Sequence, residues 1–181
     1  GDGLDEIIYG SSALKPDGTL LYRTGFGHGD AMHLSDLDPD NDGLEVYGVH
    51  EEKNNKYSEE MRNQNGIVLW GTTQENAGYV DNGRGLAADI DSTSRGFEMW
   101  SGTSGGIRTA KGTLLANTSP SVNFRIYFDG DLQDELLDAT GSGGSGGKIE
   151  KWNSSQKSVD RYFSFYKINN STLNNYTKAN P

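Results

Sequence analysis

The sequence predicts an all-β fold made of repeated units, and three observations support this class. One pattern recurs along the chain: Asp-x-Asp, a short loop that usually holds a glycine, an acidic residue, and then two or three apolar residues. Short runs of β-branched and aromatic residues follow glycine or asparagine, as strands do. No useful stretch places apolar residues three and four positions apart, as a helix would; KYSEEMRNQ comes nearest and is short.

The repeat has three copies and a partial fourth. They are HLSDLDPDNDGLEVYG at 33–48, AADIDSTSRGFEMWSG at 87–102, RIYFDGDLQDELLDAT at 125–140, and the opening GDGLDEIIYG, which matches the second half of a copy. Further predicted strands are GTLLYRT, GIVLWG, GTLLAN and KIEKWN. A four-stranded blade of a β-propeller takes about 40–50 residues. The 181 residues therefore predict about four blades, with residues 1–181 forming one partial propeller domain.

One segment departs from the repeat. TGSGGSGG, residues 140–147, has the composition of a flexible linker. It is either a natural glycine-rich loop or an engineered linker that replaces a loop or joins two pieces. The tryptophans Trp70, Trp100 and Trp152 lie in predicted strands, so we expect them to pack in the core rather than to stack on sugars.

Composition excludes several classes of function. The net charge is −10 and no basic cluster is present, which argues against a nucleic-acid partner. There is no cysteine, no apolar run long enough to span a bilayer and no signal peptide. The eighteen aromatic residues argue against disorder. Because the chain opens inside a motif, we expect it to be part of something longer.

The acidic loops predict calcium sites. Calcium takes six to eight oxygen ligands, and alternating acids followed by a glycine and a later glutamate supply them on one curling loop. The candidate ligands are Asp36, Asp38, Asp40, Asp42 and Glu45; Asp89, Asp91 and Glu98, with Ser92 and Ser94; Asp129, Asp131, Asp134 and Glu135; and Asp2, Asp5 and Glu6. The alternative for any single loop is a solvated turn. The flanks look like strands rather than helices, so an EF-hand is disfavoured.

The histidines offer a second kind of site. His28, Asp30 and His33 superficially resemble zinc ligands, but Gly27 and Gly29 place His28 on a loop and the helical spacing of zinc proteases is absent. His33 is expected to be a packed or hydrogen-bonded histidine. A zinc hydrolase remains an alternative that metal analysis would expose.

Four long motifs carry a resemblance to a known family: GHGDAMHLSDLDPDNDGLEVYGVHEEKN, GRGLAADID, NFRIYFDGDLQDELLD and TKANP. Together they resemble the rhamnogalacturonan lyases of polysaccharide lyase family 11, over essentially the whole chain apart from the glycine-rich insert. The resemblance implies a secreted bacterial enzyme with an eight-bladed, calcium-binding β-propeller, of which this chain covers about half. It also implies cleavage of rhamnogalacturonan I, the pectin backbone, at rhamnose-(1→4)-galacturonate links by β-elimination.

The resemblance implies roles for residues that are otherwise unremarkable. Arg84, between two glycines, would stabilise the developing charge, and Lys178 would transfer the proton. Asn175 and Thr177 would bind sugar hydroxyls, although Tyr176 stands where the family has glycine. His28 and Asp30 would line the mouth of the cleft and bind substrate or an active-site calcium, as would the segment 50–53; His28 as the base is the competing assignment.

Another class of function fits the same loops. Calcium loops also occur in non-catalytic propeller modules that bind carbohydrate or protein, although basic groups on glycine loops favour the enzyme. Half a ring would leave apolar sheet faces uncovered. We therefore expect either self-association into a closed ring or pairing with the missing half of the propeller.

Overall fold

The structure is a computed structural model that describes residues 3–103, 105–140 and 146–166. Within these ranges it is almost entirely β-structure, as the sequence predicts. The strands are Ile7–Tyr9 (β1), Ser12–Leu14 (β2), Leu20–Arg23 (β3), Met32–Ser35 (β4), Glu45–Val49 (β5), Tyr57–Asn63 (β6), Val68–Thr73 (β7), Gly85–Ala88 (β8), Glu98–Ser101 (β9), Ile107–Arg108 (β10), Leu114–Ala116 (β11), Phe124–Ile126 (β12), Glu135–Ala139 (β13), Gly146–Asn153 (β14) and Ser158–Tyr166 (β15). A single-turn helix, Gln74–Ala77 (α1), follows β7.

The strands form four antiparallel sheets, each running in chain order. The first sheet is β1-β2-β3, and the others are β4-β5-β6-β7, β8-β9-β10-β11 and β12-β13-β14-β15. Each full copy of the sequence repeat is the first hairpin of a sheet, so its loop joins the first two strands. We call these the first acidic loop (36–44), the second acidic loop (89–97) and the third acidic loop (127–134). In the same alignment β1 corresponds to β5 and β9, the second strands of their sheets.

The core lies between successive sheets. One cluster between the second and third sheets contains Leu37, Tyr47, Val49, Met61, Ala87, Met99 and Ala110. Another between the third and fourth sheets contains Leu86, Ala88, Ile90, Trp100, Ile107, Leu136 and Trp152. Successive residues of a strand point to opposite faces. Consequently Ala87 serves one cluster while Leu86 and Ala88 serve the other, and the third sheet is covered on both sides.

The tryptophans and the glycine-rich segment can now be placed. Trp100 and Trp152 are buried in the core and Trp70 packs against it, as expected. Residues 141–145 lie outside the described residues, but the flanks of the predicted linker are ordered. Thr140 donates from its backbone N–H to Gly146 O at 3.0 Å, and Gly147 pairs with Ala139 across the hairpin.

The segment KYSEEMRNQ forms a strand rather than a helix. Its residues 57–63 are β6, a strand with five consecutive buried residues. A strand buried on both faces is normally apolar, yet this one contains Glu59, Glu60 and Arg62, all at most 1% exposed. Most of their polar atoms have partners: Glu59 accepts from Tyr47 Oη at 2.7 Å and from Thr72 Oγ1 at 2.8 Å, and Glu60 Oε1 pairs with Arg62.

Apolar side chains are exposed at the two end sheets. Ile7, Tyr9 and Leu20 of the first sheet are more than half exposed, and a cavity of about 810 Å³ opens between that sheet and Leu34 and Leu44 of the second. Tyr162 and Phe163 of β15 are about half exposed. These faces match the expectation of uncovered sheet ends. No helix in the described part of the chain has the length and apolar character needed to cross a membrane.

His33 connects two sheets and is expected to make stability depend on pH. Its Nε2 lies 3.0 Å from Gly85 O, and its ring stacks on Tyr47. Burial lowers the pKa of His33 below its usual 6.5, partly offset by the Gly85 hydrogen bond and reinforced by the charge of Arg125. The neutral ring is therefore favoured in the folded state, and its stabilising effect is complete above pH 6.5 and lost as the pH falls through the lowered pKa.

Replacing His33 with glutamine is expected to remove this pH-dependent contribution of His33 to stability. Wild-type and His33→Gln proteins would be unfolded with urea at several pH values from 8 to 5. The wild-type free energy of unfolding should fall more steeply below pH 6.5 than that of the variant. Parallel pH profiles would contradict this assignment.

Candidate functional site

The single glutamate of each full repeat closes its own loop. Glu45, Glu98 and Glu135 are fully buried at the start of the second strand. In each case Oε2 accepts hydrogen bonds from two consecutive backbone N–H groups at the beginning of the loop. The donors are Leu37 and Asp38 (both 3.0 Å) for Glu45, Ile90 and Asp91 (3.1 and 2.8 Å) for Glu98, and Phe128 and Asp129 (2.7 and 3.4 Å) for Glu135. This repeated contact explains why the motif requires an acid there.

An aspartate near the start of each loop receives a lysine ammonium. Asp38, Asp91 and Asp129 each accept a hydrogen bond from the backbone N–H two residues later, which tightens the turn. The lysines come from distant positions: Lys111 contacts both carboxylate oxygens of Asp38 at 2.8 Å, Lys157 contacts Asp91 at 2.6 Å, and Lys151 contacts Asp129. Lys111 and Lys157 lie in the sheet after the one that holds their aspartate.

The third acidic loop encloses its lysine most completely. Lys151 Nζ lies 2.6 Å from Asp131 Oδ2 and 2.9 Å from Glu135 Oε1, in addition to its contact with Asp129. Although partial burial opposes it, these hydrogen bonds raise the pKa of Lys151. Asp134 does not join the group. Instead it accepts from the backbone N–H of Asp89 at 2.9 Å and from Arg125 at 3.1 Å, bracing the third loop against the second.

Two carboxylates in and beside the second acidic loop have a raised pKa. Burial raises the pKa of Glu98 to about 7, even though the Asp91 and Ile90 amides favour the carboxylate. Burial, and then the negative charge of Asp134, raises the pKa of Asp89. Asp134 Oδ1 is buried without a hydrogen-bond partner among the described residues. Asp91 of the same loop already pairs with Lys157 at 2.6 Å, and among the described residues these carboxylates do not gather three within 4.8 Å, so calcium at this loop stays a prediction.

The other predicted calcium ligands are dispersed. Asp36 and Asp42 are exposed on the first acidic loop, where Asp40 pairs with Arg95 at 2.8 Å. Asp5 and Glu6 are exposed beside the apolar cavity, and Asp2 lies outside the described residues. Across the described ranges, three His, Asp or Glu donors meet within 4.8 Å at only two places: Asp129, Asp131 and Glu135, and His28, Asp30 and Glu51. Calcium remains a prediction for the loops.

Replacing Lys151 with methionine is expected to create a requirement for a divalent cation. The change leaves the Asp129, Asp131 and Glu135 carboxylates facing one another without a counter-charge. Without calcium, the melting temperature should fall by about 2–4 °C, and added Ca²⁺ should restore it. Lys15→Met, which changes an exposed lysine away from the acidic loops, is the control. Equal effects of Ca²⁺ on wild type and on Lys151→Met would contradict the expectation.

The second donor group lies at the end of the second sheet and contains a histidine. His28 Nε2 is 3.0 Å from Asp30 Oδ1 and 3.7 Å from Glu51 Oε2. Pairing of β4 with β5 continues past the strand ends, because Val49 N donates to Ala31 O at 3.3 Å and Glu51 N donates to His28 O at 2.8 Å. This pairing brings Glu51 opposite His28. The sequence indicated that the segment 50–53 lies near the cleft but did not single out Glu51 as the partner of His28.

Arg84 lies next to this His28–Asp30–Glu51 cluster. A Cβ atom on Gly83 would come within 2.6 Å of Glu51 Oε1, so the chain before Arg84 lies directly against the cluster. Arg84 itself lines a small cleft with Met32, His33 and Asn123. Asp30, Arg84 and Asn123 come shortly before or immediately before β4, β8 and β12, the first strands of three successive sheets. Lys178, Asn175 and Thr177 lie outside the described residues.

Carboxylates, an imidazole and an arginine at one end of stacked sheets define a polar site suited to binding a cation and an anionic ligand. The sequence matches, over residues 1–181, the model of the family described as "Rhamnogalacturonan lyase family 11, C-terminal domain". The chain belongs to this family.

Two curated relatives from Bacillus subtilis (strain 168) cover the whole chain. They are the rhamnogalacturonan exolyase YesX, 45% identical over 191 residues, and the rhamnogalacturonan endolyase YesW, 45% identical over 183 residues. The chain spans 30% of YesX and 27% of YesW.

Solved structures of rhamnogalacturonan lyases are similar to this chain as well. The crystal structure of exotype YesX has a TM-score of 0.85 at 42% identity, covering all of this chain and 30% of the other. The rhamnogalacturonan lyase PL11 of Bacillus licheniformis has a TM-score of 0.79 at 45% identity, covering 90% of this chain and 26% of the other.

Proposed function

We propose that this chain is the part of a calcium-dependent rhamnogalacturonan lyase that supplies a cation-binding and charge-stabilising half of the active site. The observation that carries the proposal is the contact of the Gly83–Arg84 segment with the His28–Asp30–Glu51 cluster. Membership of the lyase family supports the reaction class. The four sheets would be blades of an eight-bladed propeller, with the uncovered apolar faces meeting the rest of the protein or a second copy.

The chemistry requires positive charge at one point. β-Elimination at a rhamnose-(1→4)-galacturonate link removes the proton at C5 of the galacturonate and expels the oxygen at C4. The C5 proton is acidic enough only when the neighbouring carboxylate is neutralised, because the intermediate is an enolate. A calcium ion held by His28, Asp30 and Glu51 would supply part of that charge. Arg84, a guanidinium immediately before β8, would bind the carboxylate.

The geometry also bears on the choice of base. His28 directs its Nε2 towards Asp30 and Glu51, at 3.0 and 3.7 Å, although its side chain is 67% exposed. A nitrogen so directed serves better as a cation ligand than as a base. We therefore assign proton transfer to Lys178, and assign Asn175 and Thr177 to binding sugar hydroxyls. Because its substrate is a plant polymer, we place the enzyme outside the bacterial cell.

The test is a lyase assay on the full-length protein. Rhamnogalacturonan I with Ca²⁺ would be the substrate, homogalacturonan the control polymer, and ultraviolet absorbance of the unsaturated uronate the readout. We expect calcium-dependent product from the first polymer only. Glu51→Gln should abolish it, and Glu75→Gln, on exposed helix α1, should not.

Failure of this assay has a specific meaning. If folded full-length protein binds rhamnogalacturonan I but forms no unsaturated product, the chain would belong to a non-catalytic, calcium-stabilised binding module. If Glu51→Gln retains full activity, the cluster is not the cation site and the proposal fails for these residues.

A further inference from the structure

Behind the His28–Asp30–Glu51 cluster lies a buried ion network that no step of the reaction uses. His50, directly before Glu51, is only 3% exposed, and its Nε2 lies 3.4 Å from Glu60 Oε1. Glu60 is fully buried and its Oε1 also receives Arg62 Nη1. Successive residues of an extended chain point in opposite directions. Glu51 therefore faces the cluster while His50 points into the protein.

The His50 ring has little room to move. Phe26 packs edge-on against it, with ring centroids 5.5 Å apart. The cavity beside it, shared with Gly29 and Arg62, has a volume of about 20 Å³, less than one side chain. His50 Nδ1 and Glu60 Oε2 are buried without hydrogen-bond partners among the described residues, so the bond of Nε2 to Glu60 is the polar contact that fixes the ring.

The backbone transmits this position to the cluster. His50 N donates to Ser58 O at 2.8 Å, and Gln74 Nε2 lies 3.4 Å from His50 O. The next residue, Glu51, donates its N–H to His28 O at 2.8 Å. A shift of His50 therefore moves the Glu51 carboxylate and the His28 backbone together. Two of the three donors, His28 and Glu51, therefore lie on backbone that adjoins the residue carrying this buried ring.

We propose that His50 is a positioning residue for the cluster, setting the distance between Glu51 and His28 through its hydrogen bond to Glu60. The inference rests on the proposed function, because it assumes that the cluster binds a divalent cation. Residues that orient metal ligands without touching the metal typically change affinity by about 10–100-fold when replaced.

The experiment is calcium titration of the full-length protein by calorimetry. The site that Glu51→Gln removes is assigned to the cluster. His50→Phe keeps an aromatic ring but loses the hydrogen bond, and it should raise the Kd of that site for calcium by about tenfold or more. His50→Gln, which can still donate to Glu60, should raise it less. The lyase KM for rhamnogalacturonan I should rise in the same order if galacturonate binds through the cation.

A matched control separates positioning from general destabilisation. Tyr47→Phe removes another buried hydrogen bond to a β6 glutamate, that of Tyr47 Oη to Glu59 at 2.7 Å, and neither residue is a chain neighbour of the three cluster residues. It should lower the melting temperature but leave the Kd unchanged. The inference is overturned if Tyr47→Phe raises the calcium Kd as much as His50→Phe does. It is also overturned if His50→Phe leaves the calcium Kd unchanged.

Two further outcomes complete the test. If His50→Phe does not fold, His50→Asn, whose shorter side chain ends before Glu60, takes its place against His50→Gln. If Glu51→Gln removes no calcium site, it is the proposed function of the cluster that fails, and the role of His50 in cation binding falls with it. That result differs from loss of the His50 effect alone.

Discussion

Replacing Arg62 with methionine is expected to lower the free energy of unfolding by about 3–5 kcal/mol, the usual cost of breaking a buried ion pair from one side. Arg62 and Glu60 are at most 1% exposed and pair directly. Methionine nearly matches the arginine in volume, so the cost arises from the Glu60 carboxylate left buried without its counter-charge. Urea denaturation of both proteins at pH 7 measures the difference.

The position of Arg62 adds to this loss. Its Nη2 donates to Gly10 O at 2.5 Å and its Nε to Tyr22 Oη at 3.3 Å, so one guanidinium joins the first sheet to the second. The first sheet contributes no residue to either core cluster, which makes such polar links more important there.

Two controls separate charge from packing. The double variant Glu60→Gln/Arg62→Met should recover part of the loss, because the uncompensated charge is then gone. Arg95→Met removes an exposed ion pair with Asp40 and should change stability little. If Arg62→Met is no more destabilised than Arg95→Met, the buried ion pair of Arg62 with Glu60 does not stabilise the fold.

Replacing Gly29 with alanine is expected to reduce lyase activity of the full-length protein by about 100-fold. A Cβ atom on residue 29 would lie 1.7 Å from Val49 O and 2.7 Å from Val49 C, both backbone atoms that side-chain rotation cannot move. The loop between His28 and Asp30 must therefore shift away from residues 49–51. A displacement of about 1 Å at a catalytic site can reduce the rate by about 10²-fold.

The expected signature is a loss of cation binding along with activity. Calcium affinity at the cluster should fall because His28 and Asp30 move relative to Glu51. Gly102→Ala provides the matched control: its Cβ would meet Arg84 at 3.8 Å, an ordinary contact. Wild-type kcat/KM in Gly29→Ala would show that the loop position does not matter.

Much of the fold could be predicted from the sequence because the repeat is local. An acid that closes a hairpin loop lies within eight residues of the amides it accepts, so Glu45, Glu98 and Glu135 appear at fixed spacing. Glycine turns before β-branched and aromatic residues marked the strands in the same way. Segment 56–64 was harder, since a run such as YSEEMRN gives no apolar alternation; it becomes a buried strand only through partners on other strands.

The sequence indicated several residues of the candidate site but not the complete set that the structure brings together. GHGD and GRG are local motifs, and they indicated His28, Asp30 and Arg84. Glu51 joins them only because antiparallel pairing of β4 and β5 brings together positions 23 residues apart in the chain. The contact depends on the strand register, which neither GHGD nor GRG records.

The all-β class, the repeat, the acidic loops and the basic groups on glycine loops follow from the amino-acid sequence alone, because each depends on residues that are neighbours in the chain. Which acids have a compensating cation depends on the packing of one sheet against the next. Lys111 reaches Asp38 and Lys157 reaches Asp91 from 73 and 66 positions away, from the sheet that follows each loop. The charge state of a carboxylate depends on the groups within a few ångströms of it, and in a stacked-sheet protein those groups come from the neighbouring sheet.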